Sequence, residues 1–147
     1  MVSSRYGDFS VLICSELLEI KARARLPGRI DYVLVPSWNR DRLTFEHLAQ
    51  ASTLDLHAFV AIANNAEYSD CRIRGPYKLD FKKDVCRLID PGVDSVISGV
   101  PEITALRRHH KVPPFMWSPQ PEASDPKFKP LPPGFKARRP ARFVWSV

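Results

Sequence analysis

The 147-residue sequence lacks the features that mark membrane and secreted proteins. No run of roughly eighteen apolar residues occurs, so no membrane-spanning helix is expected. Residues 1–7 contain no apolar core of a secretory signal. The cysteines are Cys14, Cys71 and Cys86, and they form no CxxC pair. We therefore expect free thiols in a cytoplasmic protein, with Cys71 and Cys86 buried.

Sequence signatures of several enzyme classes are missing as well. The chain has no glycine-rich phosphate loop, no GxSxG nucleophile elbow and no cluster of metal-ligating residues. Its four histidines show no HExxH spacing. We expect His57 to lie at the end of a helix and the pair His109–His110 to be exposed to solvent. No cofactor and no metal ion is expected.

Positive charge and proline are concentrated in residues 111–147, the tail. The tail carries seven Lys and Arg against two acidic residues, while residues 1–110 carry fifteen against fourteen. It also holds nine of the fourteen prolines, a density that prevents helix and central strand. We predict an extended arm that lies over its own domain. Its anchors would be the aromatic side chains Phe115, Trp117, Phe128, Phe135, Phe143 and Trp145.

A binding role is the alternative for the tail. Its last basic residues stand beside aromatic residues, a combination typical of segments that contact a protein partner or RNA. These basic residues are Lys136, Arg138, Arg139 and Arg142. Because residues 1–110 are almost neutral, any contact with nucleic acid is expected through the tail.

Residues 1–110 read as strands that alternate with helices, which indicates an α/β domain. Apolar runs predict strands over 9–13, 31–35 and 59–63, and Pro36 is expected to close the second of them. Apolar spacing predicts a helix over 43–56. A helix is also expected over 15–25, where the pair Pro27–Gly28 would stop it. The remaining predicted elements are β-rich stretches at 71–73, 78–88 and 95–100 and a short helix over 102–110.

Cys14 stands where a buried strand is predicted to turn into a helix. Such a turn exposes the sulfur, and the helix N-terminus favours a thiolate and offers backbone N–H groups to an oxyanion. Ser15 would supply the nearest of these N–H groups. A cysteine in an apolar strand is more often a small core residue, so the local pattern leaves both roles open.

Three segments of the chain resemble, in order, the nitrilase or carbon–nitrogen hydrolase superfamily. They are the cysteine motif VLICSEL at 11–17, the strand and loop DYVLVPSWN at 31–39, and the strand FVAIANN at 59–65. The resemblance implies that residues 1–110 are part of an α-β-β-α nitrilase-like sandwich.

The same resemblance implies roles for particular residues. Cys14 would be the catalytic nucleophile, and Ser15 would donate its N–H to the oxyanion. Glu16 would match the acidic residue that orients the cysteine loop. From their positions, Trp38 and Asn39 would lie in the loop that faces the pocket, and Asn64 would lie at a strand end, where sheet proteins bind ligands. A packing role for Trp38 and a turn at Asn64 are the alternatives.

The family's other catalytic residues, a Glu base and a Lys, precede the cysteine in its members. Thirteen residues precede Cys14 in this chain, and they include neither Glu nor Lys. We therefore expect a fragment that needs an N-terminal complement or fused domain, and that self-associates as a homo-oligomer when alone. Once completed, it would hydrolyse amides or nitriles, acting on non-peptide carbon–nitrogen bonds.

A narrower likeness leads to the alternative function. The segment YSDCRIRGP at 68–76, with Asp84, Leu106 and Arg107, resembles nitrilase-like domains fused to bacterial reverse transcriptases of antiphage defence systems. In that case the chain would be a catalytically inactive interaction module. It would bind protein or nucleic acid through its basic tail.

Overall fold

The structure is a computed structural model, and it describes residues 1–111 and 127–135. Its strands are β1 (Val2–Ser4), β2 (Gly7–Val11), β3 (Tyr32–Ser37), β4 (Phe59–Asn64), β5 (Cys71–Arg74) and β6 (Asp84–Leu88). Its α-helices are α1 (Ile20–Arg23), α2 (Arg42–Leu56), α3 (Asp80–Lys83) and α4 (Ile103–His110), and a 3-10 helix spans Cys14–Leu18. Within the described ranges, none of the helices has the length and apolar character needed to cross a membrane.

The strands form one six-stranded mixed sheet whose spatial order, β1 to β6, follows the chain. β2 is parallel to β3, and β3 is parallel to β4. The outer pairs β1–β2, β4–β5 and β5–β6 are antiparallel. The predicted α/β class is therefore confirmed in the form of a mixed sheet with helices. The short strand β1 was not predicted, because its three residues include two serines.

Both connections between the parallel strands pack on one face of the sheet. Right-handed crossovers produce this arrangement when the strand order advances in one direction. The core on this face combines apolar residues of the two connections with the inward side chains of the strands. Its buried members are Leu12, Leu17, Leu26, Ile30, Val33, Val35, Phe45, Ala49, Leu56, Ala58, Val60 and Ile62.

The opposite face is covered at one end by α4 and by residues 127–135. A second apolar cluster forms there from Phe59, Tyr77, Ala105, Leu106 and Phe128. Toward the other end lies an open cavity of about 510 Å³, called the apolar groove below. Its lining includes Val11, Leu34, Ala61, Ile73, Val96 and Ile97.

Residues 127–135, called the arm segment below, lie against the folded domain and end in a turn in which Phe135 N donates to Pro132 O. Phe128 forms an isolated antiparallel bridge with Tyr77, and both Phe128 and Phe135 are buried. The predicted arm is thus confirmed for these two anchors. The other four aromatic anchors and the basic cluster of the tail lie outside the described residues.

Three predicted elements are wrong in whole or in part. In the β-rich stretch expected over 78–88, residues 80–83 form the helix α3 and only 84–88 form a strand. The helix expected over 15–25 is interrupted at Glu19, whose backbone is extended (φ −72°, ψ 108°) and whose carboxylate accepts a hydrogen bond from Lys21 N at 2.9 Å. Residues 95–100 form no strand. Instead, Val96 and Ile97 border the apolar groove. Among the described residues, β6 is the last strand of the sheet, and residues 95–100 do not pair with it.

Pro36 lies inside β3 rather than ending it. β3 pairs with β4 through Pro36, opposite Ala63, as far as Ser37. On its other side, Leu34 O accepts from Leu12 N at 3.0 Å, just after β2 ends. Along a strand, every second residue points its backbone groups toward the same neighbouring strand. An N–H at position 36 would therefore point toward β2, like the backbone groups of Leu34, but β2 ends before it reaches this level, so no hydrogen bond is lost. A proline is therefore tolerated in a central strand.

Candidate functional site

The three parallel strands end at the same edge of the sheet, called the carboxyl edge below. Cys14 follows β2, Trp38 and Asn39 follow β3, and Asn64 is the last residue of β4. Ligands of open α/β sheets bind at such an edge, because the connecting loops converge there. The residues singled out from the sequence are thus neighbours at one end of the fold.

Cys14 has a left-handed backbone, with φ at +48°. This conformation costs a residue with a Cβ atom about 1–2 kcal/mol, so the surrounding turn has to hold it in place. Glu16 provides that support: its carboxylate accepts from Ile13 N at 2.7 Å, and its own N–H donates to Ile13 O at 2.9 Å. The strand therefore enters the 3-10 helix through a sharp, braced turn at the cysteine.

The thiol of Cys14 is half-buried. It packs against the apolar core under the crossover helices, and its sulfur lies 4.0 Å from Trp38 O. Within the described part of the chain, that carbonyl is the one polar group in contact with the sulfur. Ser15 follows in the first turn, where backbone N–H groups lack intrahelical acceptors. The site therefore offers a thiol and a backbone donor, and neither a base nor a cation contacts the sulfur within the described residues.

Asn64 uses its carboxamide entirely on the protein. Its Oδ1 accepts from Ser37 Oγ at 3.1 Å and from Asn39 N at 2.9 Å. Its Nδ2 donates to Asn39 O and to Ser69 O, each at 2.7 Å. These four bonds saturate an amide side chain. Asn64 therefore fixes the loop after β3 and has no hydrogen-bonding capacity left for a substrate in this conformation.

The loop after β3 is fixed in turn by Asn39. The side chain of Asn39 accepts from Asp41 N at 2.7 Å, and Asp41 caps α2 by accepting from Thr44 N at 3.1 Å. Hydrogen bonds from the side chain of Thr44 and from its backbone N–H lower the pKa of Asp41. Trp38 is 72% exposed beside this fixed backbone. The Trp38 side chain also hydrogen-bonds that of Tyr68. Of the pocket candidates, Trp38 is the one whose side chain is exposed.

A second strained turn borders the carboxyl edge. Ser69 and Asp70 both have positive φ, at +57° and +66°. Asp70 forms ion pairs with Arg72 at 2.5 Å and with Arg87 at 2.9 Å. Burial raises the pKa of Asp70, but Arg87 and Arg72 outweigh it and hold the pKa below its ordinary value. The charged network stabilises the turn that carries Ser69, the partner of Asn64.

Sequence reasoning found the residues of the carboxyl edge but missed the polar partners that organise them. Ser37 and Ser69 carry no motif that would distinguish them from other turn serines. The burial of the histidines was missed too. His57 does end α2 as predicted, with φ at +48°. His109 and His110, however, are 2% and 1% exposed, so the prediction that they face solvent is wrong.

Within residues 1–111 and 127–135, no group of His, Cys, Asp and Glu side chains could hold a metal ion. The chain matches none of the protein-family models, curated proteins or solved structures with which it was compared. The candidate site is therefore defined by its geometry: Cys14, Trp38, Asn39 and Asn64 lie at the carboxyl edge.

Replacing Asn64 with aspartate is expected to lower the free energy of unfolding by about 2 kcal/mol. The new carboxylate would face Asn39 O and Ser69 O, where the amide N–H groups donated before. Urea titration followed by circular dichroism measures the change. Asn65→Asp is the matched control, because the side chain of Asn65 only accepts from Tyr68 N at 3.4 Å. An equal loss in both variants would contradict the role assigned to Asn64.

Proposed function

We propose that the chain provides the cysteine-bearing part of a carbon–nitrogen hydrolase site, with Cys14 as the nucleophile. The observation that carries the proposal is the left-handed backbone of Cys14, φ +48°, at a braced turn on the carboxyl edge of parallel strands. A core cysteine has no need of this strain, whereas a nucleophile gains exposure and a helix N-terminus from it.

The chemistry at this turn follows from the groups that surround the sulfur. The Cys14 thiolate would attack an amide carbonyl carbon, and the Ser15 N–H would stabilise the resulting oxyanion. The carbon–nitrogen bond then breaks, and the amine leaves with the proton that a base took from the thiol. Water hydrolyses the thioester and restores the thiol. A nitrile would enter by the same attack on carbon.

A base and a cation have to come from outside the described residues. In the family that the chain resembles, a second sheet packs on the first in an α-β-β-α sandwich. The face bearing the apolar groove suits such a partner, because Val11 remains 47% exposed beside it. We propose that an N-terminal complement, a fused domain or a second copy of the chain covers this face. A covering layer would bring the missing base and cation toward the carboxyl edge.

Selective alkylation tests the nucleophile. An unperturbed thiol is only a few per cent thiolate at neutral pH, so activation should show as a faster reaction. Cys71 and Cys86 are free and half-buried like Cys14, rather than buried as predicted, and serve as internal references. We expect iodoacetamide to modify Cys14 about tenfold faster than either reference, as intact and peptide mass spectrometry would show.

The turn itself can be tested by the same reaction. Glu16→Ala removes the acceptor of Ile13 N and is expected to abolish the preference for Cys14. Glu19→Ala is the matched control, since Glu19 caps Lys21 N in the next helix and should leave the preference intact. Equal alkylation rates at all three thiols of the unaltered chain would remove the case for an activated nucleophile.

A non-catalytic interaction module is the second candidate. The observation in its favour is that a backbone carbonyl is the sole polar contact of the Cys14 sulfur within the described residues. A carbonyl accepts a hydrogen bond but cannot take the proton. Such a module would fit a defence reverse transcriptase and would use the basic tail to bind protein or nucleic acid. The reduced thiols fit a cytoplasmic setting under both candidates.

The two candidates differ in one measurable product. A completed hydrolase would accumulate a covalent acyl adduct on Cys14 during turnover of an amide or ester substrate. An interaction module would show no adduct with any complement supplied. Mass spectrometry of the chain mixed with the polypeptide encoded next to it would separate them.

A further inference from the structure

A groove that holds the arm segment lies on the side of the domain opposite the carboxyl edge, where β4 begins. Its walls are the end of α2 at His57, the end of α4 at His109 and His110, and Tyr77. These three imidazoles, called the histidine cluster below, are all at most 2% exposed. The arm segment occupies the groove.

The arm segment is held first through its backbone. Lys78 N donates to Lys127 O, and Lys129 N donates to Pro76 O, each at 2.8 Å. This is the pairing of a strand added beside Tyr77, a common way for proteins to bind an extended peptide. Backbone pairing is independent of side chains, so it fixes the position of the peptide and leaves selectivity to the side-chain pockets.

Two aromatic anchors supply that selectivity. The ring of Phe128 stacks on Tyr77, with centroids 4.9 Å apart, and meets His109 at 5.7 Å. The ring of Phe135 lies 5.0 Å from His110 and 5.9 Å from His57. Both anchors are almost fully buried, at 0% and 4% exposure. The groove therefore fits a peptide with two aromatic residues separated by a proline-rich spacer, which turns before the second aromatic residue because Phe135 N donates to Pro132 O at 3.0 Å.

Between the anchors, the histidine cluster holds one carbonyl of the arm. Lys129 O lies 2.8 Å from His57 Nε2 and 3.0 Å from His109 Nε2. A carbonyl oxygen can only accept, so both Nε2 atoms carry hydrogen. His110 Nε2 lies 3.0 Å from His57 Nδ1 and 2.9 Å from His57 O. His110 Nε2 therefore donates, and His57 Nδ1 accepts, which requires His57 to be neutral.

We propose that this groove is a binding site for extended peptides with two aromatic anchors, filled here by the chain's own arm segment, and that it holds its peptide only while the histidine cluster is neutral. A proton on His57 Nδ1 would set two N–H donors against each other at 3.0 Å. It would also place a buried cation beside the ring of Phe135, whose centroid lies 5.9 Å away. Acid therefore opens the groove and releases the arm.

The surroundings of His57 support this requirement. The titratable side chains that face it are His109 and His110 of α4, while the arm presents Lys129 O and the ring of Phe135. No carboxylate contacts His57 within the described residues. Burial, with a smaller contribution from His109, lowers the pKa of His57 to about 4. In the released state the imidazole returns toward its ordinary value of about 6.5, so release takes up a proton.

Hydrogen exchange of the full chain, read by mass spectrometry and corrected for the intrinsic pH dependence, tests the release. At about pH 7 we expect peptides covering Lys127–Lys129 and Lys78 to be protected. At about pH 5 they should exchange at least tenfold faster, while β3 and β4 keep their protection. An arm that stays protected at about pH 4.5, or that loses protection only together with β3 and β4, would overturn the proposal.

Two variants separate the role of protonation from that of packing. His109→Gln keeps an N–H donor for Lys129 O without a titratable group, and we expect release to move to lower pH. Phe128→Ala removes an anchor, and we expect the arm to exchange freely at about pH 7 with β3 and β4 still protected. An unchanged release pH in the first variant, or a protected arm in the second, would contradict the proposal.

The vacated groove can be tested with a probe in trans. A synthetic peptide of residues 127–135 should bind the Phe128→Ala chain at about pH 7 and at least tenfold more weakly at about pH 5, as measured by calorimetry. The same peptide with both phenylalanines replaced by alanine is the control. If the control peptide bound as tightly as the original, or if the affinity were the same at both pH values, the groove would lack the proposed specificity.

Discussion

Replacing Arg107 with methionine is expected to lower the free energy of unfolding by about 3 kcal/mol. Arg107 Nε lies 3.0 Å from Asp31 Oδ1, and Asp31 is fully buried. Arg107 Nη2 also lies 3.5 Å from Asp8 Oδ2. Methionine would keep the packing of the side chain but leave two neighbouring carboxylates without the guanidinium. The figure is at the lower end for breaking a buried ion pair, because the Arg107 side chain is 38% exposed.

Arg108→Met is the matched control for this prediction. Arg108 is the next residue of α4 and is exposed, so its loss should change the free energy of unfolding by less than about 0.5 kcal/mol. Urea-induced unfolding at about pH 7 measures both variants. Equal free energies of unfolding in the two variants would show that this ion pair does not stabilise the packing of α4 against the start of β3.

Lowering the pH from 6.5 to 4 is expected to remove up to about 3 kcal/mol of stability through His57 alone. Burial lowers the pKa of His57 in the folded protein from 6.5 to about 4. Between these values the unfolded chain binds a proton that the folded chain excludes while its arm is in place. The contribution is therefore complete above pH 6.5, and it is lost as the pH falls toward 4.

The slope of stability against pH identifies the residue responsible. His57→Asn should flatten the slope by up to about 1.4 kcal/mol per pH unit in this window. Asparagine is chosen because it tolerates the positive φ at this helix end. His47→Gln is the control, since His47 is an exposed histidine of α2. A slope that is the same in the unaltered chain and in both variants would refute the assignment.

The strands of the carboxyl edge could be predicted because each segment's own sequence is enough to indicate a strand. Phe59–Asn64 and Tyr32–Ser37 are short apolar runs with β-branched residues, bounded by turns. The same locality placed Cys14 at the end of a strand. Cysteine, tryptophan and asparagine at three strand ends could therefore be expected to meet, since parallel strands finish at one edge.

What could not be predicted depends on partners distant in sequence. His109 and His110 have the polarity of surface residues, and they are buried because Lys129 O and Phe135 approach them from the arm segment. The saturation of Asn64 depends on Ser69 and on the loop after β3. The local sequence does not indicate these contacts. A role in the substrate pocket was therefore predicted for Asn64, whose side chain instead fixes the loop after β3.

The order of the strands in the sheet has a consequence for how the chain folds. Because β1 to β6 lie in the order of synthesis, each new strand pairs with the one made just before it. Every step closes a short loop and loses little chain entropy. The arm segment departs from this order, since it returns past α4 to pair beside Tyr77. On a growing polypeptide the sheet can therefore assemble first, and the histidine cluster closes over the arm as the last event.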